Sequence, residues 1–248
     1  MPRSLAFATV LFSLCTAASA EIPFYSLTDL GPQGATSISK EGSQIVGWQL
    51  QNGQQIAHEF APASMSLGTL PGGLFSQALA TNGQKIVGYS LTGTNESDQQ
   101  QHAFVFENGQ MTDFGDDNLD ALNADDMCGS FFDQAATTVL PVCWIQGVRT
   151  EYPTFPGHYG AINALNEKGN AAGVSRTASG EYHCAFWPVE GGIVDCTGTS
   201  FSQARDINAS NVIVGDTGGR GFFYFFGAIL LNPLPGMQSS RADSYLCC

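Results

Sequence analysis

The chain has 248 residues, 43% hydrophobic, 12% charged and 11% aromatic, with 29 glycines. That balance excludes a disordered chain and describes strands and turns in one large all-β domain or two small ones. The formal net charge of −13 disfavours nucleic acid and anionic lipid as partners.

The N-terminus reads as an address. Arg3 precedes an apolar run over 5–15, and small residues Ala18 and Ala20 follow. This is the pattern of a secretory signal peptide (1–20) cleaved after Ala20. The run is well short of the ~20 residues a membrane span needs. Bulky Leu14 stands where a lipoprotein signal has a small residue before its cysteine, here Cys15. No later stretch is long and apolar enough to span a bilayer. Export leaves a mature chain, 21–248, with eight Lys+Arg (nine less Arg3) against 22 Asp+Glu, a net charge of −14. Six cysteines remain: Cys128, Cys143, Cys184, Cys196, Cys247 and Cys248. An even number in an exported protein suggests disulfides, and a secreted or periplasmic location follows.

Beyond the signal, one short strand-like segment occurs five times. Its marker glycines are Gly47, Gly88, Gly129, Gly173 and Gly215, spaced 41, 41, 44 and 42 residues apart. Each unit has four pieces. An Ala-rich approach (35–39, 76–82, 120–123, 163–166, 204–208) leads into a turn carrying Gly42, Gly83, Gly169 or Asn211, residues that tolerate positive φ. The marker segment is second. A short aromatic piece is third (57–60, 102–106, 142–145, 183–187, 222–226), and another turn leads to the fourth. Four short strands per ~42 residues are the unit of a β-propeller blade. The expected fold is all-β and propeller-like: five four-stranded blades plus a partial sixth, with a five-bladed ring, an open ring and a truncated chain as the alternatives. Repeat boundaries fall near 25–65, 66–110, 111–149, 150–192 and 193–230, with a fragment at 231–248. The segment 24–31 reads as a lone fourth strand. A β-helix, the main alternative solenoid, has shorter coils and no aromatic hairpins at this spacing.

The repeats resemble the HAF family of extracellular repeat proteins. His102-Ala103-Phe104 is the namesake motif, and His58-Glu59-Phe60 and His183-Cys184-Ala185-Phe186-Trp187 are variants of it. The stretch 66–90 is similar to the family's linker-plus-strand pattern. The resemblance covers 24–248, although the third and fifth repeats lack the histidine motif. It implies a secreted propeller-like protein and brings no catalytic residues.

Candidate sites lie in what differs between repeats. His58, His102 and His183 occupy equivalent places in three blades, too far apart to share a zinc ion, and are expected to hydrogen-bond neighbouring turns. Cys184 and Cys196 flank the PVEGG turn and Cys128 and Cys143 flank the FDQAAT loop, so each pair should face across adjacent antiparallel strands and form a disulfide. In the acidic run 113–126, Asp116, Asn118 and Asp120 open like a calcium loop. Ala121 and Met127 stand where such a loop needs glycine and glutamate, which leaves a solvated acidic loop as the plainer reading. Loops leading into the first strands should crowd one channel mouth with Phe75, Gln77, Tyr159, Phe201, Gln203 and Arg205, a set suited to a glycan or peptide, or simply to contacts between blades. Asp120 and Asp206 are the available carboxylates for polysaccharide hydrolysis. No phosphate, dinucleotide or nucleophile motif is present, and no cofactor is expected. The expected function is that of a monomeric, non-catalytic binding scaffold for a glycan, peptide or envelope component. A polysaccharide-active enzyme and a degenerate remnant are the alternatives.

Overall fold

The computed structural model describes residues 33–199, 201–233 and 235–242. The signal segment, the lone strand at 24–31, and Cys247 and Cys248 lie outside the described residues.

Twenty strands form five four-stranded antiparallel sheets, each meandering in chain order. Blade one holds β1 (Gln33–Ile38), β2 (Ile45–Gln51), β3 (Gln54–Ala61) and β4 (Met65–Gly68). Blade two holds β5 (Ser76–Thr81), β6 (Ile86–Thr92), β7 (Gln100–Glu107) and β8 (Gln110–Asp113). Blade three holds β9 (Asp117–Leu122), β10 (Met127–Asp133), β11 (Thr138–Ile145) and β12 (Val148–Glu151). Blade four holds β13 (Gly160–Leu165), β14 (Ala171–Arg176), β15 (Tyr182–Trp187) and β16 (Val194–Asp195). Blade five holds β17 (Ser202–Ile207), β18 (Ile213–Thr217), β19 (Arg220–Tyr224) and β20 (Ala228–Leu230).

A four-stranded sheet buries neither face unaided, and the core accordingly lies between blades. Val46, Ala57 and Leu67 meet Ala78, Ile86 and Phe104 between blades one and two. Val87, Ala103 and Val105 meet Leu119 and Met127 in the next layer. Cys128 and Cys143 meet Ile162, Ala171 and Trp187 in the third. Ala172, Cys184 and Cys196 meet Ala204, Ile213 and Phe222 in the fourth. The aromatic third strands supply the largest buried side chains, Phe104, Trp187 and Phe222, each contributing roughly 1.5–3 kcal/mol by burial.

Both expected disulfides are present. Cys128 and Cys143 are directly paired across β10 and β11, with Cα atoms 4.0 Å apart. Cys184 on β15 reaches Cys196, just past β16, at 5.3 Å. Each bridge lies in a layer between blades rather than on the surface.

The marker glycines occupy one site in every blade. Gly47, Gly88, Gly129, Gly173 and Gly215 lie on second strands, opposite the first. A Cβ added to any of them would sit 1.9–2.0 Å from a first-strand carbonyl oxygen: that of Gly34, Gln77, Asn118, Ala161 or Gln203. In each case the first strand is bulged by one residue next to this contact, at Thr36, Leu79, Asp120, Asn163 or Arg205. The bulge lets the two backbones approach more closely than any side chain permits. We expect Gly88→Ala to destabilise the protein by about 2–3 kcal/mol through this clash, read as a lowered melting temperature with the far-UV spectrum retained. Alkylation of the denatured, unreduced protein is expected to spare Cys128, Cys143, Cys184 and Cys196, as mapped by peptide mass.

Candidate functional site: the axial cavity

Each first strand ends in an equivalent pair of residues, and these pairs build the site. The last strand residues are Ile38, Thr81, Leu122, Leu165 and Ile207, followed just beyond the strands by Ser39, Asn82, Asn123, Asn166 and Asn208. The asparagines close their own turns. Asn82 Oδ1 accepts from the N–H groups of Gln84 and Lys85 at 2.9 and 2.8 Å. Asn123 does the same for Asp125 and Asp126, Asn166 for Lys168 and Asn170, and Asn208 for Ser210 and Val212. This is the side-chain mimicry of a turn that makes asparagine favourable there.

The other half of the first three amides reaches the next blade. Asn82 Nδ2 donates to the Asn123 carbonyl at 2.9 Å, Asn123 to Asn166 at 3.0 Å, and Asn166 to Asn208 at 2.9 Å. A relay of side-chain bonds thus ties the turns of blades two to five into one frame. Asn211 supports it with a left-handed backbone (φ 61°) and accepts from Asn166 Nδ2 at 2.8 Å.

Inside this frame lies a cavity of about 550 Å³ lined by all five blades. Ile38, Leu122, Leu165 and Ile207 give it an aliphatic surface, and Lys40, Glu41, Glu167 and Asp206 carry its charge. Lys40 Nζ reaches from blade one to within 3.6 Å of Glu167 Oε1 on blade four. A second cavity, about 460 Å³, opens beside blade three among Phe114, Phe131, Phe132, Trp144 and Asp133. Its wall is locked: Arg149 grips both oxygens of buried Asp117, lies 4.1 Å over the Phe131 ring, and Trp144 Nε1 donates to the same carboxylate at 2.9 Å.

The axial cavity lies at the trailing ends of the first strands, whereas the sequence placed the channel-mouth residues at their leading ends. None of those six lines either cavity. Most of them meet partners within their own blades, and Gln77 Oε1 also accepts from Gln55 Nε2 of blade one at 3.1 Å. Phe75 stacks on Tyr89 at 5.6 Å, and Gln77 accepts from the Tyr89 hydroxyl at 3.0 Å. Tyr159 meets Tyr182 edge-on at 5.1 Å. Gln203 and Arg205 both reach Asp216. Phe201 is 72% exposed. The second and third strands offer these side chains partners nearer than the axis.

The acidic run is a solvated loop only in part. Its middle folds into β9 with Asp117 buried, while Asp116 stays exposed. The candidate calcium ligands diverge along it. Asp116 pairs with His102 Nε2 at 3.1 Å, Asn118 accepts from Gln101, and Asp120 sits at the first-strand bulge. No cluster able to hold a metal ion exists among the described residues. Each of the three repeat histidines meets a partner in its own blade. His58 meets Ser64 at 2.8 Å, His102 meets Asp113 at 2.9 Å and His183 meets Asp195 at 2.6 Å. Burial holds the His58 imidazole below its usual range, partly offset by Glu59. Asp206 lines the axial cavity and Asp120 does not, so the two carboxylates share no site there.

Asp120 is nevertheless unusual. Burial pushes its carboxyl up to about 6, although the side chain remains partly accessible. At the equivalent bulge, Thr36 Oγ1 donates to the Ala78 carbonyl at 2.6 Å and Asn163 Nδ2 to the Ala204 carbonyl at 2.8 Å, each reaching the next blade. An ionised carboxylate cannot donate.

No protein-family model matches the chain, and no curated protein matches it in sequence. Among solved structures it is similar to TolB from Acinetobacter baumannii, with a TM-score of 0.52 and 13% identity over 77% of this chain and 51% of that one. It is also similar to the β-propeller domain of the trilobed protease from Pyrococcus furiosus, described as having an open velcro topology, with a TM-score of 0.53 and 8% identity over 79% of this chain and 65% of that one. The fold is a β-propeller. The chain spans about half the length of the first of these structures and under two thirds of the second.

The propeller should respond to Asp120 as follows. Its folded carboxyl titrates near 6 against a reference of 3.8. Stability from the neutral form is therefore complete below about pH 4 and is lost as pH rises towards 6, with up to about 3 kcal/mol at stake. Asp120→Asn should raise the melting temperature at pH 7.5 relative to the parent and by less at pH 4.5, with thermal denaturation at both pH values as the check.

Proposed function

We propose that this protein is an exported, non-catalytic propeller that works as a monomer and binds a segment of glycan or peptide, or an envelope component, at the axial cavity. One observation carries the reading. Equivalent positions from all five blades converge on a single concavity whose turns are held by side-chain bonds. Clefts that combine aliphatic walls with a few fixed polar groups are the usual form of a binding site. Export is supported by the signal-like N-terminus and by two disulfides, which persist in oxidising compartments. No helix among the described residues is long and apolar enough to cross a membrane. Membership of the HAF family is supported by His102-Ala103-Phe104 on β7 and remains part of this proposal.

Glycan and peptide arrays probed with the mature protein identify the ligand class. Ala124→Trp and Ala209→Trp place a large ring on exposed positions of the cavity wall. Each folded variant should lose array binding by at least about tenfold, an effect on the scale of one blocked anchor pocket. Unchanged binding by both would overturn the axial site.

A further inference from the structure

We propose that the axial cavity takes an alkylammonium group, such as a lysine side chain of a peptide, with Glu167 as counter-ion and Lys40 as the internal occupant that it displaces. This rests on the axial-site reading above.

Such a group already stands at the cavity wall. Lys40 Nζ lies 3.6 Å from Glu167 Oε1, on a contact that joins blades one and four across the mouth. The two side chains are 73% and 49% exposed. An ion pair so open to water is held weakly and exchanges readily.

The surrounding charge favours a cation. Among the described residues that line the cavity, Glu41, Glu167 and Asp206 are acidic and Lys40 is basic. A concave wall of one sign concentrates counter-ions. Asp206 Oδ1 accepts the Ile207 N–H at 2.8 Å, and Glu167 is the lining carboxylate that an exposed lysine ammonium reaches. The asparagine relay gives its amide hydrogens to carbonyls and its oxygens to turn N–H groups, so the frame presents few donors to an anion.

The apolar surface fits the stem of the same group. Ile38 is 54% exposed, and Leu122 and Leu165 are half-buried at equivalent positions of other blades. Lysine-type side chains lay their methylene stems along such surfaces while the ammonium remains in water.

Calorimetric titration of the mature protein tests this with two blocked peptides, acetyl-Leu-Lys-Leu-amide and acetyl-Leu-Gln-Leu-amide. The lysine peptide should bind at least about tenfold more tightly. Glu167→Gln should abolish that preference, and Lys40→Met should tighten lysine-peptide binding several-fold by removing the competitor. Glu96→Gln makes the same charge change in the exposed loop between β6 and β7 and should leave both affinities unchanged. Equal affinity for the two peptides, no binding of either, unaltered binding by Glu167→Gln, or an equal loss with Glu96→Gln would each overturn the ammonium assignment. Equal binding of both peptides that Ala124→Trp abolishes overturns this inference alone. Binding that Ala124→Trp and Ala209→Trp both leave intact overturns the axial site as well.

Discussion

The fold depends on one close contact, between a second-strand glycine and a first-strand carbonyl, made in all five blades. With a Cβ impossible at 1.9–2.0 Å from that oxygen, only glycine lets the first strand bulge inward against its neighbour. The bulge adds one residue to each first strand and turns it out of the ladder. In blades one and four that residue donates to the next blade's first strand. The same local irregularity therefore sets both the path of the innermost strand and a point of contact between blades.

Contacts between blades are otherwise mostly apolar. Burial of Phe104, Trp187 and Phe222 holds the layers together, but such burial is non-directional and fixes no angle around the axis. The asparagine relay supplies direction where the blades converge. Asn82, Asn123 and Asn166 each close their own turn and bond to the next asparagine, so one residue type satisfies turn N–H groups and sets blade spacing together. On this frame the residues after each asparagine are free to differ: Gly83, Ala124, Glu167 and Ala209. Binding chemistry belongs at those positions, and Lys40 and Glu167 are where the charge stands.

The site was only partly legible. Asn82, Asn123, Asn166 and Asn208 ended the approach segments in plain view at spacings near 42, and their turn-forming role was readable from residue type. Their reach into the next blade was not, because an amide's second half has no sequence signature. The leading-end aromatics attracted attention because aromatic and amide side chains suit ligands. Phe75 and Tyr159 instead found rings on their own blades, within shorter reach than the axis. The acidic run misled in a related way. Its charge suggested solvent, but alternation over 117–122 is that of a strand, and Asp117 is paired inside.

The sequence by itself determined the repeat, its period, the strand order within each unit and both disulfide pairings. All of these follow from local spacing: hairpins place partners a short, countable distance apart along the chain. Tertiary structure alone decided which end of the first strands encloses a cavity, that Lys40 meets Glu167, and that Asp120 is desolvated. These depend on rotation from blade to blade about an axis. That rotation brings together residues from separate repeats, and no interval along the chain encodes it.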